Sequence, residues 1–311
     1  MRVATTTFDF SGYVNHRTAN AADILAMLAD SGCKYVDFSL ALSDVPGSPL
    51  LEDGWEKWVN DIGNISARLG LKLIQSHSSD TVYEYGEKRD YLTSIIKREI
   101  EVCGMLGIGG IVVHGIEKAN GEREEFMEKN TEFYKELLPL AEKNGVEIYT
   151  ENTCTANCPT YYLFDGKDMN ELCERVNHPL FGACWDVGHG HVQGVDQYKE
   201  ITTMGKNLKA LHVHDNYGVA DIHIQPYGGN VCYDALIKGL VDIDYKGYFT
   251  LEALCAPVSD RFCFCNRKPF EKDGVVYDKA LMPPLALKIR SERLMLDTVR
   301  FMLEAYDCYE D

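Results

Sequence analysis

The sequence predicts an α/β protein, a single (β/α)8 TIM barrel over residues 1–311 with a long insertion between the eighth strand and the last helix. Short apolar runs alternate with amphipathic stretches of helical period along the chain, which is typical of parallel strands joined by helical crossovers. Eight such units fit in 311 residues, and eight is the number in a TIM barrel. The first strand is not followed by the glycine-rich phosphate loop that usually opens a doubly wound sheet.

The predicted strands are short segments rich in β-branched and aromatic residues, and most of them begin just after a Gly or Asn. They are Val3–Phe8, Tyr35–Leu40, Lys72–Ser76, Gly110–His114, Val146–Glu151, Gly182–Asp186, Leu208–His212 and Tyr248–Leu251. Their spacing leaves room for one helix between each pair of neighbours. This arrangement favours parallel pairing throughout.

The predicted helices are amphipathic, and several end at a glycine, where a helix C-cap favours that residue. They are Ala22–Ser31, Trp55–Leu69, Tyr91–Leu106, Arg123–Lys143, Asp168–Val176, Asp196–Lys206, Tyr233–Val241 and Leu285–Leu303. One connection breaks the pattern, because residues 254–284 form a loop far longer than the usual ~2–6 residues. We interpret this insertion either as a lid or subunit-contact arm or as a structured insertion without a chemical role.

The charge composition limits the kinds of molecule that the protein is expected to bind. Lys and Arg number 31 against 48 Asp and Glu, which gives a net charge of −17. So acidic a chain repels phosphate backbones and anionic lipid surfaces, so we expect neither nucleic acid nor membrane as a partner. No apolar run approaches the ~18 residues of a membrane span, and the first residues do not resemble a secretory signal. We therefore expect a cytoplasmic protein.

Candidate site residues stand at the carboxyl ends of the predicted strands, the edge at which barrel enzymes carry their active sites. Six consecutive strands, from the third to the eighth, each contribute at least one such residue. They are His77, His114, Glu151, Asp186, His189, His212, His214, Asp221, His223 and Glu252. Imidazole and carboxylate groups together are ligands for divalent Mn, Co, Zn, Fe or Mg. Because burying so many titratable groups at one point is costly without a cation, the pattern predicts a metal site.

The order of these residues resembles the xylose-isomerase-like TIM-barrel superfamily, which includes the sugar phosphate isomerase/epimerase family. The resemblance covers the chain outside the insertion. Its most specific segment is HVHDNYGVADIHIQPYGGN at 212–230, which is similar to the superfamily pattern H-x-x-D-N…D-x-H…P-G-x-G. The glycine pair is displaced to Gly228 and Gly229, after Tyr227.

This resemblance implies a primary cation held by Glu151, Asp186, His212 and Glu252. It also implies that Glu151 and Glu252 are the acid/base pair of an isomerase or epimerase of a small sugar or sugar derivative. Such enzymes transfer a proton next to a carbonyl through a metal-bound enediolate. Six further residues would hold substrate or a second metal, and His189 among them would bind a substrate oxygen. They are His77, His114, His189, His214, Asp221 and His223.

The implied cofactor is one divalent ion among Mn, Co, Zn and Mg, with Mn favoured and a second ion as an alternative. The implied partners are a carbohydrate substrate and, by analogy alone, further copies of the chain in a homo-oligomer. Three other functions stay open at this point. They are a metal-dependent dehydratase or carbon–glycoside-cleaving lyase, an endonuclease-type phosphodiesterase with three metals, and a non-catalytic barrel subunit.

Overall fold

The computed structural model describes residues 1–15, 17–79, 87–116, 121–253, 270–277 and 283–311. Eight strands form one parallel sheet in the order β7-β6-β5-β4-β3-β2-β1-β8. They are β1 Arg2–Thr6, β2 Tyr35–Asp37, β3 Lys72–His77, β4 Gly110–Val112, β5 Glu147–Glu151, β6 Phe181–Asp186, β7 Leu208–His212 and β8 Tyr248–Leu251. A parallel bridge between Val213 and Leu251 joins the two edge strands. The predicted (β/α)8 barrel is therefore confirmed.

Helices connect the strands and cover the outside of the sheet. They are α1 Ala21–Ser31, α2 Trp55–Leu69, α3 Glu87–Leu106, α4 Arg123–Asn144, α5 Gly166–Val176, α6 Val187–Gln193, α7 Gln197–Met204, α8 Tyr233–Asp242 and α9 Leu285–Glu304. The main core lies between the sheet and these helices, with Phe38, Phe133, Tyr134 and Trp185 among its largest buried side chains. A separate small cluster is formed by Val112, Cys184 and Ala210, each from a different strand.

Several predicted strands end earlier in the structure, the second of them at Asp37 rather than Leu40, and one helix was not predicted. The first strand ends at Thr6, and Thr7–Tyr13 form 3₁₀ turns in which the Thr6 hydroxyl accepts a hydrogen bond from the Phe8 amide. The fourth strand ends at Val112 and does not extend to His114. The helix α6 was not predicted, because its sequence VGHGHVQ carries two glycines and no apolar periodicity.

The described part of the insertion is a β-hairpin of β9 Phe270–Lys272 and β10 Val275–Tyr277. Its turn residues Asp273 and Gly274 have φ angles of 53° and 74°, as the tight turn of a two-residue hairpin requires. The Asp-Gly pair is thus a local signal that could have predicted this hairpin from sequence. Residues 254–269 and 278–282, and with them the remainder of the predicted lid or contact arm, lie outside the described residues.

Candidate active site

All ten predicted site residues lie at one end of the barrel. Four of them are the last residues of their strands, namely His77, Glu151, Asp186 and His212. Glu252 follows β8 directly, while His114 and His214 stand two residues beyond β4 and β7. His189 lies in the first turn of α6, and Asp221 and His223 lie in the loop after β7. The strand-end prediction therefore locates the cluster, although it does not assign a role to any member.

The central group consists of Glu151, Asp186, His212 and Glu252, each of which offers one ligand atom within 4.8 Å of the others. The Nδ1 atom of His212 lies 2.7 Å from Glu151 Oε1 and 3.7 Å from Glu252 Oε2. Glu151, Asp186 and His212 are almost fully buried, whereas the Glu252 side chain is 17% exposed. Glu252 is thus the member of this group most accessible from solvent.

A second group shares Glu151 with the first. Glu151 Oε2 lies 3.4 Å from His77 Nε2 and 3.3 Å from His114 Nε2. The two imidazole Nε2 atoms are themselves 3.2 Å apart. Glu151 therefore presents one carboxylate oxygen to each group.

A third group of His189, His214, Asp221 and His223 lies on the other side of Asp186. Asp221 Oδ2 is 3.1 Å from His189 Nε2, and Asp221 Oδ1 is 3.2 Å from His223 Nε2. The rings of His214 and His223 are stacked with centroids 3.7 Å apart. His214 Nε2 lies 3.0 Å from Asp186 Oδ1, so His214 connects this group to the central one.

Local structure positions these side chains firmly. The amide of His189 donates to Asp186 Oδ1 at 2.6 Å, so Asp186 is the N-cap of α6 as well as a site residue. Asn152 accepts a hydrogen bond from the Asp186 amide and donates one to its carbonyl. A Cβ on Gly188 would lie 1.8 Å from His214 Cε1, so the helix leaves space for the ring only because this position is glycine.

The pKa values of Glu151 and Glu252 are shifted in opposite directions. Burial raises the pKa of Glu151, but the adjoining His212, His77 and His114 lower it by more, and the result lies well below its usual range. Burial also raises the pKa of Glu252, and there the neighbouring His212 and His223 do not reverse the shift. For His223, burial lowers the pKa but Asp221 outweighs it and raises the pKa to about 9. The imidazole and carboxyl groups are thus strongly coupled.

The residues present fit a divalent cation. Glu151 Oε2 and Asp221 Oδ1 are buried beside imidazole nitrogens at 3.2–3.4 Å, and neither accepts a hydrogen bond of normal geometry from the described residues. Buried carboxylate oxygens that lack a good hydrogen bond are rare in native structures, and a bound water or ion is the usual explanation. Two carboxylates, a third partly exposed carboxylate and an imidazole form a nitrogen and oxygen donor set suited to Mn, Co, Zn or Mg.

Two buried residues behind His212 were not singled out from the sequence. Asp37 is the last residue of β2, and Gln75 lies in β3. Gln75 Nε2 donates to Asp37 Oδ2 at 2.8 Å and lies 3.0 Å from His212 Nε2. Nothing local in the sequence marks them, since their partner His212 is far away along the chain.

The model of the xylose isomerase-like TIM barrel family matches residues 25–269. The chain belongs to this family. The resemblance found in the sequence is therefore confirmed. Within the described part of the chain, every helix is too short or too polar to span a lipid bilayer.

Similar proteins of known structure share the fold along almost the full chain. The D-psicose 3-epimerase from Clostridium cellulolyticum H10, solved with D-tagatose, is 15% identical with a TM-score of 0.74, and the match covers 97% of this chain and 99% of that one. At such low identity the likeness establishes the fold alone.

The sequence relatives carry names of two different kinds of enzyme. The fructoselysine 3-epimerase of Escherichia coli O157:H7 is 25% identical over 38% of this chain and 42% of its own length. The probable endonuclease 4 of a Geobacter species is 26% identical over 48% of this chain and 58% of its own length. The chain spans less than two thirds of the length of the curated relatives it matches. The sequence relatives thus include proteins named for two different activities.

Proposed function

We propose that the chain is a divalent-cation-dependent epimerase or isomerase that transfers a proton next to the carbonyl of a small sugar or sugar derivative. The observation that carries the proposal is the convergence of Glu151 and Glu252 on one ligand group with Asp186 and His212. Two carboxyl groups placed in this way can remove a proton from one reacting carbon and return it from a different side. The fructoselysine 3-epimerase among the sequence relatives supports the substrate class.

Glu151, Asp186, His212 and Glu252 would hold the cation. When bound, it would act as a Lewis acid that polarises the sugar carbonyl and makes the adjacent C–H more acidic. Manganese is our favoured ion, since a donor set with three carboxylates suits a hard cation.

The chain's own carboxyl groups would carry the proton. The pKa of Glu151 is held low by its three histidine neighbours, so this residue is ionised and offers a carboxylate oxygen to the proton, and the low pKa makes it a weak base. The pKa of Glu252 is raised by burial, so this residue is suited to donate one. Environments that push the pKa values of two carboxyl groups apart are typical of acid/base pairs.

The third group would bind substrate oxygens. His189, His214 and His223 line the space beside Asp186 with imidazole nitrogens that can donate or accept hydrogen bonds. Asp221 holds His189 and His223 through hydrogen bonds to its Oδ2 atom at 3.1 Å and 3.2 Å. This group would therefore orient hydroxyl groups of the sugar relative to Glu151 and Glu252.

Solvent exchange tests the acid/base assignment. We expect the Mn-loaded protein to incorporate deuterium from D2O next to the carbonyl of at least one ketose in a panel of free and conjugated sugars. Glu252→Gln should slow the exchange at least ~100-fold, because it removes a positioned proton donor. Glu200→Gln is the matched control, since Glu200 is a buried carboxylate on α7 that accepts from the Gly166 amide. Equal exchange rates in Glu252→Gln and the wild type would remove the acid/base claim.

A phosphodiesterase with three cations is the second candidate, favoured by the arrangement of the ligands in three connected groups. The probable endonuclease relatives add support. The charge of −17 opposes it, because a DNA-binding face needs many Lys and Arg contacts. Metal analysis of the purified protein separates the candidates. One or two ions per chain fit the sugar enzyme, and about three zinc ions with cleavage of a phosphodiester fit the alternative.

A further inference from the structure

His212 is held from behind by a buried carboxylate. Its Nδ1 atom faces Glu151 and Glu252, while its Nε2 atom faces Asp37 and Gln75 from the opposite side of the ring. Asp37 Oδ2 lies 3.4 Å from His212 Nε2, and Asp37 is 1% exposed. Asp37 thus lies outside the ligand group but against one of its members.

An irregularity in the sheet places this pair. Val36 pairs with Leu73, but Asp37 pairs with Gln75, so β3 carries one extra residue, Ile74, opposite the end of β2. In a regular register Asp37 would pair with Ile74, whose side chain points to the other face of the sheet from that of Gln75. The irregularity therefore brings the carboxylate and the amide to the same side, as β-bulges next to active sites commonly do.

Two tautomers of His212 are compatible with the distances around the ring. In the first, Nδ1–H donates to Glu151 Oε1 at 2.7 Å, and Nε2 accepts from the Gln75 amide at 3.0 Å. In the second, the hydrogen is on Nε2 and Asp37 Oδ2, 3.4 Å away, is the carboxylate that can accept it, while the Gln75 amide donates to Asp37 alone and no longer to the ring. Only the second leaves the Nδ1 lone pair free for a cation.

Hydrogen bonding within the protein does not fully satisfy the Asp37 carboxylate. Gln75 Nε2 donates to Oδ2, whereas Oδ1 is buried and accepts no hydrogen bond among the described residues. A buried carboxylate that served packing alone would be costly in this state. The Asp37 carboxylate can therefore accept one more hydrogen bond beside His212 Nε2. Only one tautomer of His212 carries a hydrogen on that atom.

We propose that Asp37, held by Gln75, is the positioning residue that fixes His212 with its hydrogen on Nε2 and its Nδ1 lone pair towards the cation. This inference rests on the proposed cation site, and it adds a carboxylate–histidine–metal chain to it. Such partners fix the tautomer and orientation of ligating histidines, and their loss typically weakens metal affinity ~10–100-fold.

The test compares Mn2+ affinities of chelator-treated protein by titration calorimetry. Asp37→Asn should weaken Mn2+ binding about 10–100-fold, because the amide is neutral and a poorer acceptor. Asp9→Asn is the matched control, a carboxyl group that is also buried, lies beside Thr5 and does not contact His212, and its Mn2+ affinity should stay within about twofold of the wild type. In the Zn2+-loaded wild type, nitrogen-15 NMR should place the His212 hydrogen on Nε2, and this signal should be lost in Asp37→Asn.

The outcomes separate this inference from the function on which it rests. If the wild type binds Mn2+ and Glu151→Gln does not, the cation site stands. An unchanged affinity in Asp37→Asn then overturns the positioning role alone. Failure of the wild type to bind Mn2+ or Zn2+ overturns both. If Asp37→Asn does not fold, Gln75→Met repeats the test by removing the amide that holds Asp37. Its Mn2+ affinity should fall about three- to tenfold. An unchanged Mn2+ affinity in Gln75→Met also overturns the positioning role.

Discussion

Glu99 is a fully buried carboxyl group outside the ligand groups. It lies on α3, and its Oε1 atom accepts hydrogen bonds from the hydroxyls of Ser43 and Ser79, both at 2.5 Å. Burial is the largest influence and raises the pKa of Glu99 to about 7, although these hydroxyls partly oppose it. Glu99 therefore keeps its proton in the folded protein over a pH range in which the unfolded chain has lost it.

This shift predicts a pH-dependent stability. The folded-state pKa is above the unfolded value of 4.5, so the stabilising contribution is complete below about pH 4.5 and is lost as the pH rises through about 7. The free energy of unfolding should fall by on the order of 3 kcal/mol across this window because of Glu99. Urea unfolding of the wild type and Glu99→Gln at pH 5 and pH 8 measures it. The difference between the two proteins should change with pH by that amount, and a constant difference would contradict the assignment.

Individual site residues differ in how well the sequence alone predicts their position. Glu151 and His212 each end an apolar run, so the strand pattern alone places them at the active edge of a barrel. Asp37 stands inside the run Tyr35–Leu40, which the sequence pattern treats as one uninterrupted strand. Its role depends on a register shift against β3 and on a contact with a residue in β7. Neither feature has a local signature.

The helix α4 has a proline in its interior, a position at which proline destabilises a helix. Pro139 lies inside Arg123–Asn144 and is exposed. It cannot donate a backbone hydrogen bond to the carbonyl of Lys135, and its ring crowds that carbonyl. The neighbouring Leu137 and Leu138 are buried, so packing against the sheet maintains the helix despite this defect.

Pro139→Ala should therefore stabilise the protein. Restoring the backbone hydrogen bond should outweigh the lost rigidity of proline in the unfolded chain, with a net gain of about 1–2 kcal/mol. The urea midpoint should rise at an unchanged slope. Lys143→Ala, an exposed change near the end of the same helix, is the control and should stay within about 0.5 kcal/mol of the wild type. A lower midpoint for Pro139→Ala would mean that the proline itself is needed for packing.

At the scale of the whole molecule, closure of the barrel joins the two ends of the chain. β1 pairs with both β2 and β8, and α9 packs against α1 and β1. Local alternation of strands and helices was enough to predict eight units, because each unit repeats the same pattern. The polar groups that lie between the first strand and the last helix were not predictable, since they come from opposite ends of the sequence.

These groups are a buried cluster of Thr5, Asp9, Lys288 and Glu292. Thr5 Oγ1 lies 2.8 Å from Glu292 Oε1 and 3.1 Å from Asp9 Oδ2, and Lys288 Nζ donates to Glu292 Oε2 at 3.3 Å. Burial, followed by repulsion from Glu292, raises the pKa of Asp9 well above its usual range. Lys288 thus supplies the positive charge that faces the carboxylate of Glu292 between α9 and β1.

Lys288→Met should destabilise the barrel by about 3–5 kcal/mol, because it leaves a buried carboxylate without its charge partner. The matched control is Lys238→Met, which breaks an exposed pair with Asp242 at the same i,i+4 spacing on α8 and should cost at most about 1 kcal/mol. Adding Glu292→Gln to Lys288→Met should recover more than half of the loss, since the remaining polar groups are then uncharged. Urea unfolding followed by tryptophan fluorescence measures all four proteins. Equal losses in Lys288→Met and Lys238→Met would show that the buried pair does not hold the last helix to the first strand.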